Sequence, residues 1–328
     1  MTEDPPRIVF MGTTEFAVAS LRTLHESGFG IAAVVTAPDK PAGRGRKITF
    51  TAVKEYALQH KLNLLQPEQL RDPGFTGTLK AMNANIFVVV AFRMLPEEVW
   101  SIPPLGTFNL HASLLPQYRG AAPINHALIN GETKTGVTTF LIDREIDTGH
   151  ILLARATDIL PGDNAGSLHD RLMELGSSLV VDTARGLFTG TLKPVPQTVS
   201  PGEVVMPAPK IFPADTIINW RELAVKVHNR IRGLSPYPGA LATIRSGDRT
   251  MRLKILESRV RSDIKSIPGT MIVAEKSQLL ISCVNGAIEV FALQPEGRRR
   301  MTASEFLRGF DPTGWELAES GRYLILTF

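Results

Sequence analysis

Asn109 and His111 stand two residues apart at the end of an apolar run, Thr107–His111 (TFNLH), which reads as a β-strand. Side chains on a strand alternate between faces, so the carboxamide and the imidazole share one. The carboxamide is a neutral donor suited to an oxygen that gains negative charge. The imidazole exchanges a proton near neutral pH. Polar chemistry continues with Ser113-Leu114-Leu115-Pro116, and then Arg119 and Gly120 precede a short helix expected over 122–129. An Asn-x-His tripeptide alone is more often a satisfied polar pair than a catalytic one. At the carboxyl end of a strand in an open α/β sheet, however, it stands where ligands bind.

The flanking sequence supplies such a sheet. Arg7–Phe10 opens a buried strand, Gly12-Thr13-Thr14 a turn, Glu15–Glu26 an amphipathic helix and Ile31–Thr36 a second apolar run. Continuous apolar strands separated by helices predict a mostly parallel sheet covered on both faces. The first turn lacks G-x-G-x-x-G, which argues against a nicotinamide cofactor. Ile86–Ala91 reads as a central strand, and 138–142 and 151–156 as two more. Leu168, Leu172, Leu175, Leu179 and Val180 mark one face of a long helix, as core and not as a cofactor box.

Four basic residues, Lys40, Arg44, Arg46 and Lys47, fall within eight positions broken by two glycines and a proline. Such a segment is a poor helix and cannot enter a core; it reads as a solvated loop or a basic finger for phosphates. Leu192–Pro213 holds six prolines and reads as a linker. Beyond it, five strand-length runs bounded by turn signals fit a small barrel such as the OB-fold. Net charge is +4, with +6 from Lys210 onward and −2 before it, a hint of a polyanionic partner for the C-terminal part. The lone cysteine, Cys283, excludes an intrachain disulfide and reads as a buried, inert thiol. The longest apolar run falls far short of the roughly 20 residues that cross a bilayer. The N-terminus shows no secretory signal, and a reducing cytoplasm is expected. No His/Cys/Asp cluster has the spacing of metal ligands.

Taken with Asp147 in Ile142–Gly149 (IDREIDTG), these features resemble the signature of folate-dependent formyltransferases: Asn-x-His, then SLLP, then a distant Asp before Thr-Gly. The basic loop is similar to the P-A-G-R-G-K/R-K insertion of the methionyl-tRNA members, where it meets the tRNA acceptor end. Ile231–Ala240 and Gln294–Met301 are similar to further segments of that family, and the resemblance runs from about Arg7 to Met301. One turn departs from it: Phe92-Arg93-Met94-Leu95-Pro96 is one residue shorter than the family's pterin-binding turn, with Arg93 near the usual glycine.

The resemblance implies a Rossmann-like, mostly parallel formyltransferase domain over 1–191, a linker over 192–209 and a smaller OB-like β-barrel, tRNA-binding, over 210–328. It implies 10-formyltetrahydrofolate as formyl donor, the methionine amine of initiator tRNA as acceptor, and a monomer. Asn109, His111 and Asp147 would be the catalytic trio, and Ser113, Leu114, Leu115 and Pro116 would line the folate site. Lys40, Arg44, Arg46 and Lys47, with Arg298, Arg299 and Arg300, would meet the nucleic acid. The rival enzyme is a nucleotide-sugar N-formyltransferase; a non-catalytic folate- or RNA-binding protein is the other class.

Overall fold

The computed structural model describes residues 6–42, 47–275 and 277–318. In chain order the elements are β1 (Arg7–Gly12), α1 (Glu15–Glu26), β2 (Gly30–Val35), β3 (Lys40–Ala42), β4 (Lys47–Thr49), α2 (Ala52–Gln59), β5 (Leu64–Leu65), α3 (Pro73–Ala81), β6 (Ile86–Val90), α4 (Glu97–Trp100), β7 (Thr107–His111), α5 (Pro123–Ile129), β8 (Lys134–Leu141), β9 (Ile151–Asp158) and α6 (Ala165–Phe188). After the Pro-rich stretch come α7 (Ala224–Leu234), β10 (Ala240–Ser246), β11 (Arg249–Arg261), β12 (Met271–Ala274), β13 (Gln278–Cys283), β14 (Gly286–Pro295), β15 (Met301–Thr302), α8 (Ala303–Arg308) and β16 (Glu316–Leu317). The described residues form two compact units. The first takes those up to Gly120, Lys134–Asp158 and His169–Pro207; the second takes Ala121–Thr133, Ile159–Leu168 and the described residues from Ala208 on.

The first unit is built on a seven-stranded sheet of order β5-β2-β1-β6-β7-β8-β9. Its pairs from β5 through β7 are parallel, and β8 and β9 turn antiparallel. β6, with sequence IFVVV, is buried at every residue, as expected of a parallel strand covered on both faces. On one face Val9, Met11, Phe87 and Val89 pack with Phe75, Leu79 and Val99 of α3 and α4. Elsewhere the Thr139 hydroxyl of β8 meets the Thr183 hydroxyl of α6 at 2.8 Å. The chain winds outward from β1 to β2 and β5, then returns to β6 on the other side of β1. In open α/β sheets ligands bind outside the carboxyl ends of the strands at such a reversal, here those of β1 and β6, beside β7.

In the second unit, β10 to β14 and β16 form a curled antiparallel sheet, a half-barrel in the OB-like manner. Val227, Ile231 and Leu234 of α7 pack with Ile244, Ile255, Ile281, Ile288 and Leu293 in its core. Cys283 belongs to the same core at 1 % exposure, and burial pushes its thiol up to about 12. Among the described residues, no helix is long and apolar enough to cross a membrane and no group of three or more His, Cys, Asp or Glu is placed to hold a metal.

Candidate active site

β7 ends at His111, in register with Thr138 of β8, while Asn109 faces Phe140 two residues earlier. His111 is buried and Asn109 half-buried. The carboxamide of Asn109 has no hydrogen-bond partner among the described residues, so its donors are free for a ligand. His111 is held instead: its Nε2 lies 2.8 Å from the Tyr118 carbonyl. A carbonyl only accepts, so Nε2 carries the proton and donates it there. Nδ1 is the nitrogen left for chemistry, and it faces Asp147 Oδ2 at 3.7 Å. That is ion-pair range, too long for a hydrogen bond. Catalytic contacts are often this loose before substrate binds.

Asp147 reaches this place from the loop between β8 and β9. Its Oδ2 accepts the Gly120 amide at 2.9 Å. Its backbone is left-handed, with φ 57°. Asp tolerates that region better than most residues, but it still costs ~1 kcal/mol or more that the surroundings must offset. Thr148 and the Glu145 amide both donate to Asp143 Oδ1, at 2.8 and 3.1 Å, and tighten the loop. Gly149 has no room for a side chain, since a Cβ would overlap the Leu141 carbonyl. Two further non-glycine residues have positive φ beside the strand ends: Ala91 at 47°, just after β6, and Tyr118 at 61°. Such strain clusters at ligand clamps and active sites.

Ser113-Leu114-Leu115-Pro116 follows β7 as a tight loop, with a cis bond between Leu115 and Pro116. The Ser113 hydroxyl donates to the Gln117 carbonyl at 2.6 Å, and Thr138 Oγ1 donates to the Ser113 carbonyl at 2.7 Å. The Leu115 amide in turn donates to Thr138 Oγ1 at 3.2 Å. These polar atoms shape the loop; Leu114 and Pro116 are its half-buried surfaces. In the departing turn after β6, the Arg93 guanidinium donates to the carbonyls of Pro67 and Glu68, binding the turn to the segment after β5.

The basic loop is a two-stranded hairpin at its base, β3 pairing with β4. Arg44 and Arg46 lie outside the described residues, as do side-chain details of Lys47; Lys40 is exposed. The hairpin is pinned from below. Lys54 Nζ donates to Asp39 Oδ2 at 2.5 Å, and Gln66 donates to Asp39 Oδ1 at 2.9 Å. Those donors hold the Asp39 carboxyl below its ordinary range, the lysine foremost. In the second unit, Arg298, Arg299 and Arg300 stand exposed on the turn from β14 to β15. Arg299 pairs with Glu305 at 3.6 Å and Arg300 with Glu257, whereas Arg298 has no side-chain partner among the described residues.

Sequence reasoning missed Tyr118 and Gln197. Tyr118 acts through its backbone carbonyl, which leaves no mark in residue type. Gln197 lies in the Pro-rich stretch yet donates to the carbonyls of Asp147 and Gly149 at 2.9 and 2.8 Å. Residues 192–207 pack within the first unit, Val195 pairing with Ile151 of β9.

A free carboxamide and a held imidazole beside a carboxylate fit acyl transfer at a carbonyl. Comparison with known proteins agrees. The family model "Formyl transferase" matches residues 6–184, and "Formyl transferase, C-terminal domain" matches 210–311. The methionyl-tRNA formyltransferase of Flavobacterium johnsoniae is 48% identical over 303 residues, covering 92% of this chain and 96% of that protein. That of Bacteroides thetaiotaomicron is 47% identical over 314 residues, covering 94% and 97%. Among solved structures, the sugar 3N-formyl transferase WlaRD, with dTDP and 5-N-formyl-THF present, superposes with TM-score 0.65 at 20% identity, over 90% of this chain and all of that one. At that identity the likeness is one of fold. The two family models and the close relatives together place the chain in the methionyl-tRNA formyltransferase family of formyl transferases.

Proposed function

We propose that this chain transfers the formyl group of 10-formyltetrahydrofolate to the α-amino group of methionine on initiator tRNA, giving N-formylmethionyl-tRNA for translation initiation. The observation that carries the reading is His111 Nδ1 facing Asp147 Oδ2 at 3.7 Å on the strand that also presents a free Asn109 carboxamide. The curated relatives matched over nearly their whole length bear that name.

The folate supplies an electrophilic formyl carbon; the chain supplies donors and a base. Asn109 donates from its carboxamide to the formyl oxygen as that oxygen gains charge. His111, protonated at Nδ1, donates to the same oxygen. Each donor of this kind is worth on the order of 10²–10³ in turnover. Asp147 balances the charge of the imidazolium and accepts the proton that the attacking amine must lose, directly or through one water. The amine nitrogen gains the bond to the formyl carbon, the folate nitrogen leaves, and a proton returns to that nitrogen. Ser113, Leu114, Leu115 and Pro116 form one wall for the folate.

Residues 1–191 are the catalytic part in this reading and 210–328 the tRNA-binding part. Lys40, Arg44, Arg46 and Lys47 guide the acceptor end, and Arg298, Arg299 and Arg300 track the backbone. The enzyme works as a monomer in the cytoplasm, where charged tRNA is found.

Formyl-folate offered with charged initiator tRNA, a UDP-amino sugar or no acceptor tests the reading. Formyl-methionine on the tRNA is the expected product. Formylation of the sugar alone would move the chain to the sugar N-formyltransferases, whose fold it shares.

A further inference from the structure

We propose that Gln197 is the positioning residue that aims Asp147 at His111, and that Arg119 sets which way its carboxamide faces. The proposal rests on the formyl-transfer reading of Asn109, His111 and Asp147. Every polar atom of the Gln197 side chain is committed. Its Nε2 donates to the carbonyls of Asp147 and Gly149 at 2.9 and 2.8 Å. Its Oε1 accepts from Arg119 Nε and Nη2 at 3.2 and 2.7 Å. A guanidinium only donates, so Oε1 must face Arg119, and both amide hydrogens must then face the loop. The two clamped carbonyls lie on either side of Thr148, and the first of them belongs to the peptide plane that follows the left-handed Asp147.

The grip closes on itself. The residue after Arg119 is Gly120, whose amide holds Asp147 Oδ2 at 2.9 Å. The residue before it is Tyr118, whose carbonyl holds His111 Nε2 at 2.8 Å. Three consecutive residues thus set the imidazole, the carboxylate and, through Gln197, the backbone that carries the carboxylate. A plainer role would be docking the Pro-rich stretch on the first unit. Val195 already does that two residues away, exchanging both backbone hydrogen bonds with Ile151 at 2.8 Å. The carboxamide is surplus to docking, and its donors point at the Asp147 loop.

Gln197→Glu separates the two roles, because it keeps an acceptor for Arg119 but removes both donors. Steady-state and single-turnover formylation of charged initiator tRNA by the full chain, with enzyme in excess for the latter, is the measurement. We expect kcat to fall on the order of 10²-fold, as for a small misplacement of a reacting group, with the thermal midpoint and both KM values held. Gln197→Ala should cost as much in the wild-type background, but less than about threefold when added to Asp147→Ala, since residues acting through one another are not additive. A Gln197→Glu variant with near wild-type kcat overturns the proposal. So does an equal loss from Gln197→Ala in both backgrounds, or a loss that tracks a lowered thermal midpoint. If wild-type protein formylates a different acceptor, the proposed function fails by itself, and the Gln197 variants are then read on that acceptor.

Discussion

The Tyr118 carbonyl lies 2.8 Å from His111 Nε2, and this one contact decides which ring nitrogen remains for chemistry. With Nε2 committed to the chain, Nδ1 is the nitrogen that faces Asp147. Asn offers a polar atom where histidine has Nδ1, and Gln where it has Nε2. Both His111→Asn and His111→Gln should lose on the order of 10² or more in kcat. His111→Asn should retain the larger residual rate in single-turnover formylation. The reverse ranking would assign the working nitrogen to Nε2.

Gly149 holds the Asp147 loop against β8. A methyl group there meets the Leu141 carbonyl, so Gly149→Ala must push the loop outward. Overpacking of this kind costs about 1–3 kcal/mol. Thermal unfolding should show the lowered midpoint, and turnover should fall further than stability alone explains, because the displaced loop carries Asp147.

Arg298 is unpaired among the described residues, while its neighbours Arg299 and Arg300 are tied to Glu305 and Glu257. Phosphate contacts release counterions, so tRNA binding must weaken with salt, and removing one contact lowers the slope of log K against log salt by about 1. Arg298→Ala should raise KM for tRNA and reduce that slope more than Arg299→Ala does, with KM for the folate unchanged. Equal slopes in all three proteins would take the turn out of the RNA interface.

His228 of α7 is half-buried with its Nδ1 3.0 Å from the Ser258 hydroxyl. Burial first, and the Arg232 charge second, lower its pKa from 6.5. The unfolded chain therefore takes up the proton before the folded one. The stability at stake is full above pH 6.5 and is lost as pH falls from 6.5 through the lowered folded value. Thermal midpoints between pH 7.5 and 5.5, on the scale of that ordinary pKa, should decline for the wild type and less steeply for His228→Gln.

Much of this was legible in the residues. Asn109 and His111 sit in one strand, and strand alternation puts them on one face without any tertiary knowledge. The continuous apolar runs at β1, β2 and β6 announced a covered parallel sheet. Asp147 was reachable only through the motif around it, because it lies 36 positions from His111 and nothing local signals a loop that turns back. The Pro-rich stretch was harder. Proline density reads as a linker because it removes backbone donors, yet one glutamine within it ties the Asp147 loop through side-chain donors that proline does not affect. Tyr118 was beyond sequence reasoning, since a carbonyl is common to every residue. The basic loop read as an irregular finger, but the residues at its base pair as β3 and β4, held through Asp39, just before β3, by Lys54 of α2 and Gln66 just after β5.

The most direct measurement is single-turnover formylation of methionyl initiator tRNA, with 10-formyltetrahydrofolate, by folded wild type, Asn109→Ala and Asp147→Ala. A formylated product is expected from the wild type, and a rate lower by on the order of 10²–10³ in each variant. Near wild-type rates from both folded variants would contradict it.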